Sequence, residues 1–198
     1  MVKNRSAVGI AAIALFSLIV IACSAAAADQ GDGTPSLEAQ LISFASELRL
    51  GLSLAAFAAY SPTILDLRLH AQQLINLIEG ADGPHYVRPT ESSDEPVGLL
   101  VEVTGWLRQI PDRPLPPDKK ERLLVAAKNV LIFLDLARDA ALSLLDERRM
   151  DRAKEGMFEV YACLAAAYEP PCGTAYVPGL WTILDAFGLT DRGEEPHS

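Results

Sequence analysis

The sequence predicts an all-α protein, an antiparallel helical bundle of four main helices with one or two short ones beside them. Three observations carry this. Apolar residues recur at steps of three and four through successive segments. No stretch sustains the period-two alternation of a half-buried strand, and no internal repeat is present. Prolines, glycines and hydroxyl residues fall at the segment ends, where helices start and stop.

The first segment is a leader. Lys3 and Arg5 open the chain with positive charge, and no further charged residue occurs before Asp29. The core from Val8 to Ala22 is almost wholly apolar. A basic start, an apolar stretch and then small residues is the layout of a secretory signal. The basic residues stay on the cytoplasmic side while the apolar stretch partitions into the bilayer and draws the rest across.

Within this leader, Val20-Ile21-Ala22-Cys23 resembles the lipobox of bacterial lipoproteins: an aliphatic residue, a small or aliphatic one, a small one, then cysteine. Val stands where Leu is more usual. The resemblance implies that residues 1–22 are removed and that Cys23 becomes an N-terminus carrying acyl chains. At roughly 0.8 kcal/mol per buried CH2, more than one chain makes a stable anchor. Two alternatives stand beside it. Cleavage among Ala25, Ala26, Ala27 and Ala28 would release a secreted protein. The uncharged run Ser6 to Ala28 is also long enough to remain as a spanning helix. The resemblance is confined to the leader, and the body resembles no family.

The body divides into a linker at 23–33, a bundle domain at 34–188 and a polar tail at 189–198. Thr34-Pro35 is the expected start of a long first helix whose inner face reads Leu37, Leu41, Phe44, Leu48, Leu52, Ala55 and Ala59. Ser61-Pro62 ends it and opens a second, with Ile64, Leu67, Ala71, Leu74 and Ile78 inward and Gly80 as the stop. A charged, turn-rich loop runs from Ala81 to Glu95, with Ser93 or Asp94 as the expected cap of a third, shorter helix. That helix is expected to bury Leu99, Leu100, Val103, Leu107 and Ile110. Pro111 to Pro117 reads as a stiff, non-helical connector. The clearest seam follows in Leu123, Ala127, Val130, Leu134, Ala137, Ala141 and Leu144, alternating steps of four and three. Asp146 to Arg149 breaks the chain before Met150, Ala153, Met157, Val160, Leu164 and Ala167. A short last helix is expected between Pro178 and Phe187, closed by Gly188.

Net charge is -9 over 198 residues, and loss of Lys3 and Arg5 with the leader takes the body to -11. Such a domain has no general attraction for nucleic acid or anionic lipid headgroups. With Cys23 assigned to lipid, Cys163 and Cys172 remain, nine positions apart across Pro170-Pro171. In an oxidising compartment they are expected to form a structural disulfide, worth ~2.5–3 kcal/mol in the chain-entropy model. They lack the CxxC spacing of redox and zinc sites.

His70 lies one helical turn after Asp66, with Gln73 and Asn76 continuing that side, which makes His70 and Asp66 the candidate metal ligands. The alternative is a part-exposed histidine beside the seam. The loop from Asp82 through Arg88 to Glu95 is the most chemically varied surface; Glu91, Asp94 and Glu95 offer hard oxygens, but not in the order of an EF-hand. Asp135 and Asp139 flank Arg138 in an apolar helix and are expected at its solvent edge. Arg148, Arg149 and Arg152 form a small basic cluster. GxSxG, Ser-x-x-Lys, the paired Glu-x-x-His of di-metal bundles and the CxxCH of attached haem are all missing from the sequence, so no cofactor or catalytic residue is predicted.

These features predict a non-enzymatic helical module at the cell envelope. Lipid on Cys23 would hold it at the membrane, facing the periplasm or cell exterior, where it would bind an envelope protein or a small ligand. Two rivals remain open, a metal- or cofactor-binding bundle using His70 and an envelope hydrolase using paired carboxylates.

Overall fold

A computed structural model describes residues 36–89, 96–168 and 177–190. It divides into two units, 1–43 and 44–198. The first helix begins in one and continues in the other. The leader, Cys23, Cys172 and the acidic residues Glu91, Asp94 and Glu95 lie outside the described residues.

The described chain is helical: α1 Leu37–Ala59, α2 Ile64–Glu79, α3 Leu99–Gln109, a 3-10 turn Ile110–Asp112, α4 Pro117–Leu145, α5 Met150–Tyr168 and α6 Leu180–Ala186. No strand occurs among the described residues. In the unit from Phe44 onward, α4 is the hub. It packs most extensively on α5, to which a four-residue turn joins it, and also against α2, α3 and α6. Every residue of its expected seam is buried, and Ala126 joins them. Small alanine side chains at 126, 127, 137 and 141 let the neighbouring helices close on it.

The helix starts differ from expectation in an instructive way. The Ser36 hydroxyl accepts the Ala39 N–H at 3.2 Å, so capping of α1 falls on Ser36, while Thr34 and Pro35 lie outside the described residues. Thr63, not Ser61, caps α2: its backbone is extended, and its Oγ1 accepts the Asp66 N–H at 3.1 Å. Ser61 is buried in the turn instead. Gly98 precedes α3 at the cap position with no side-chain cap, and Ser93 and Asp94 lie outside the described residues. Pro117 is the first residue of α4, and Pro111 and Asp112 of the expected connector wind with Ile110 into a 3-10 turn. Proline fits both places because a first-turn N–H has no helical acceptor to lose.

Two inner faces are rotated from the expected ones. In α1, Leu52 is only half-buried and Gly51 takes the inward position. A Cβ at Gly51 would lie 3.2 Å from Leu77 Cδ2 and 3.5 Å from Leu164 Cδ1, so α1 lies close to α2 and α5 there. In α3 the buried residues are Leu99, Val103 and Trp106, followed by Ile110, while Leu100 and Leu107 are half-exposed. Trp106 is 1 % exposed and meets Phe44 of α1 edge to face, with ring centroids 4.5 Å apart at 63°.

Side chains tie the remaining elements. Arg49 of α1 reaches the Tyr168 hydroxyl at the end of α5 and also stands 5.3 Å over its ring. Arg68 of α2 donates to the Glu147 carbonyl in the α4–α5 turn at 2.6 Å. Asn129 of α4 donates to the Pro178 carbonyl ahead of α6 at 2.8 Å. Leu134→Ala, at the 0 % exposed centre of α4, is expected to lower stability by about 2–5 kcal/mol in urea titration. Val125→Ala, on the same helix but 42 % exposed, is expected to cost less than about 0.5 kcal/mol.

Candidate functional site

The end of α2 carries an arrangement that periodicity does not explain. Asn76 and Glu79 are polar yet buried, at 8 % and 5 % exposure. A carboxylate in the last turn of a helix also faces the negative end of the helix dipole. Both side chains turn to the loop that follows.

Asn76 behaves as a strand partner for Val87. Its Nδ2 donates to the Val87 carbonyl at 2.7 Å, and its Oδ1 accepts the Val87 N–H at 3.0 Å. Gln72, one turn earlier, donates to Asn76 Oδ1 at 3.0 Å and to the His85 carbonyl at 2.9 Å. Glu79 accepts the His85 backbone N–H through Oε2 at 2.9 Å and the ring N–H at Nδ1 through Oε1 at 2.8 Å. Arg138 of α4 stands 3.9 Å from Glu79 and also pairs with Asp135 and Asp139, each at 2.8 Å. These partners meet the desolvation cost of burying the carboxylate, which would otherwise be several kcal/mol. The Arg138 guanidinium is held charged above its ordinary value by its carboxylate neighbours, although burial works against this.

Backbone contact locks the base of the same loop. Gly80 and Gly98 have φ of +79° and +92°, and the two chain segments cross there. A Cβ on Gly80 would sit 2.2 Å from the Val97 carbonyl oxygen, and one on Gly98 2.4 Å from that of Glu79. The Ala81 N–H donates to the Pro96 carbonyl at 2.9 Å beside the crossing. Only glycine permits both the left-handed backbone and this approach. The loop from Ala81 to Pro89 is thus fixed to α2 and presents His85, Val87, Arg88 and Pro89 outward.

Other residues singled out in the sequence are placed as follows. Asp66 receives the Thr63 hydroxyl at 2.8 Å within the α2 cap, and His70 Nδ1 lies 3.0 Å from Gln73 Oε1. The structure therefore engages the two candidate metal ligands separately. No group of three or more His, Cys, Asp or Glu suited to a metal occurs among the described residues. Asp135 and Asp139 lie at the solvent edge of α4, as expected, and bracket Arg138. Arg149 pairs with Asp151. The Glu147 carboxylate accepts the Arg148 and Arg149 N–H groups at 2.7 and 2.8 Å, which holds it below the usual carboxylate range. Cys163 is half-buried on α5, and burial pushes its thiol up.

One carboxylate pair escaped the sequence reading. Burial, with Glu47 of α1 as second cause, pushes Glu102 of α3 up to about 7. Its Oε2 and the Trp106 Nε1 are both buried without a hydrogen-bond partner. A cavity of about 320 Å³ lies elsewhere, between the start of α4 and α6, with Lys119, Arg122, Thr182 and Asp185 in its wall. The signal that could have exposed Glu79 was its position one turn beyond Ile75, beside the apolar stripe. Trp106 lay three residues after Val103 and four before Ile110, in phase with both.

Comparison with protein-family models, curated proteins and solved structures finds no match for this chain.

Asn76→Ala leaves the Val87 N–H and carbonyl without partners. It is expected to cost about 1–3 kcal/mol, and hydrogen exchange should show loss of protection at the Val87 amide while the α4 core amides keep their order of protection.

Proposed function

We propose that this chain is an exported, lipid-anchored helical module that binds a partner protein at the cell envelope without catalysing a reaction. The recognition surface is the loop from Asp82 to Pro89. One observation carries the reading: buried polar side chains of α2 hold this loop in one conformation while its own side chains face outward. A loop fixed before binding loses little conformational entropy on association, which favours recognition. Its exposed set combines an imidazole, an aliphatic side chain 55 % exposed and a guanidinium, a mixture suited to a protein surface.

Export and anchoring rest on the leader with its basic start, apolar core and lipobox-like Val20-Ile21-Ala22-Cys23. By length and composition α1 could also cross a membrane, a test that core helices of soluble proteins pass as well. The Phe44–Trp106 contact gives α1 a place among the helices. A bridge between Cys163 and Cys172 belongs to the same proposal, because it requires the oxidising side of the membrane.

Two experiments test this. The intact mass of membrane-extracted protein should correspond to a chain starting at Cys23 with acyl additions and two hydrogens fewer for the disulfide. Cys23→Ala should move the protein out of the membrane fraction. For recognition, photo-crosslinking through the loop in native membranes should capture a defined partner. Val87→Asp, which keeps the backbone pairing with Asn76, should reduce capture roughly tenfold or more, with Val125→Ser unchanged. Equal capture by Val87→Asp, or turnover of an envelope substrate by the purified protein, would refute the reading.

A further inference from the structure

The start of α4 and the end of α6 leave a cavity of about 320 Å³ between them. That volume falls at the lower end of the range of small-molecule sites, roughly 300–1,000 Å³. One rim of it is fixed. Lys119 Nζ donates to the Ala186 carbonyl at 2.5 Å, which satisfies an orphan carbonyl at the end of α6. Thr182 and Asp185, on the α6 side of the wall, are engaged by other groups as well. Two charged side chains of the wall are not. Asp118 and Arg122 line the cavity, and neither side chain makes a hydrogen bond or ion pair among the described residues. They stand one turn apart on α4, the spacing at which an aspartate and a following arginine ordinarily pair. Here they do not pair with each other. Both are exposed and therefore within reach of a solute.

We propose that this cavity binds a free α-amino acid with an uncharged side chain. Its carboxylate takes two N–H groups from the Arg122 guanidinium fork. Its ammonium donates to the Asp118 carboxylate. The ligand thus completes, through itself, the pair that the helix leaves open. Its side chain lies against Pro116, Leu123 and Ala186, the apolar part of the wall.

Charge selects this class of ligand. The chain carries a net charge of -9, so its field opposes phosphate and other anions. A zwitterion has no net charge and meets no such barrier. A lone anion would also leave Asp118 without a partner, and a lone cation would leave Arg122 without one. In an α-amino acid both charges flank one carbon, which suits two side chains one turn apart. In a peptide they sit at opposite ends of the chain. The site is separate from the loop Asp82 to Pro89, and it holds whether or not the chain is anchored.

The test is isothermal titration calorimetry of the full chain in detergent with alanine, valine, leucine and methionine in turn. At least one should bind with a Kd between roughly 1 μM and 1 mM. The N-acetyl derivative of that amino acid lacks the ammonium, and its amide lacks the carboxylate. Each should bind at least about tenfold more weakly. Arg122→Gln and Asp118→Asn should each weaken binding of the parent amino acid by a similar factor. Lys128→Gln removes a positive charge from an exposed position further along α4 and should leave the Kd within about twofold. The absence of binding by all four amino acids overturns the proposal. So does binding that either blocked derivative or either cavity variant retains in full. A dipeptide of the same residues that binds as tightly as the free amino acid overturns the assignment too.

Discussion

The closeness with which other helices approach α4 governs the organisation of the unit from Phe44 onward. Alanines at 126, 127, 137 and 141 bring neighbouring backbones in, and Leu123, Val130, Leu134 and Leu144 fill the space between them. In the second half of α4, Asp135, Arg138 and Asp139 lie together along the solvent edge. From that edge Arg138 extends to Glu79 on α2. The hub thus links the apolar core to the polar anchor of the loop.

The end of α2 shows what that anchor accomplishes. A helix normally finishes its hydrogen bonds with water or with its own turn. Here Asn76 and Glu79 direct theirs to the following loop, and the crossing at Gly80 and Gly98 closes it at the base. Each buried polar group depends on the others. Remove one and its partner is left desolvated without a hydrogen bond, which costs more than the bond itself contributes. That interdependence makes the loop an extension of the scaffold, and it is the physical content of the binding role proposed above.

The α1–α3 seam follows a different rule. At Glu79 burial is matched by donors, whereas Glu102 meets a second carboxylate and an indole N–H that finds no acceptor. Glu79 is satisfied by its neighbours, whereas burial pushes half-buried Glu102 up to about 7. The two ends of the molecule's polar interior are therefore expected to respond differently to pH.

The sequence by itself determined the helices and most of their inward faces. All seven seam residues of α4 are buried, as are five of the six on α5, and helices ended at Gly80 and before Gly188 as glycine placement implied, and at Leu145 before the charged stretch Asp146 to Arg149. Helical periodicity is a local property, written in spacings of three and four. The tertiary structure alone decided the rest. It rotated α3 toward Trp106 because Phe44 lay opposite, and it turned Gly51 inward because Leu77 and Leu164 crowd that side. It brought Arg138 of α4 to Glu79 of α2, a pairing that depends on which helix faces which. No spacing within a segment encodes that, since the partner of a buried charge is chosen by the packing of distant elements.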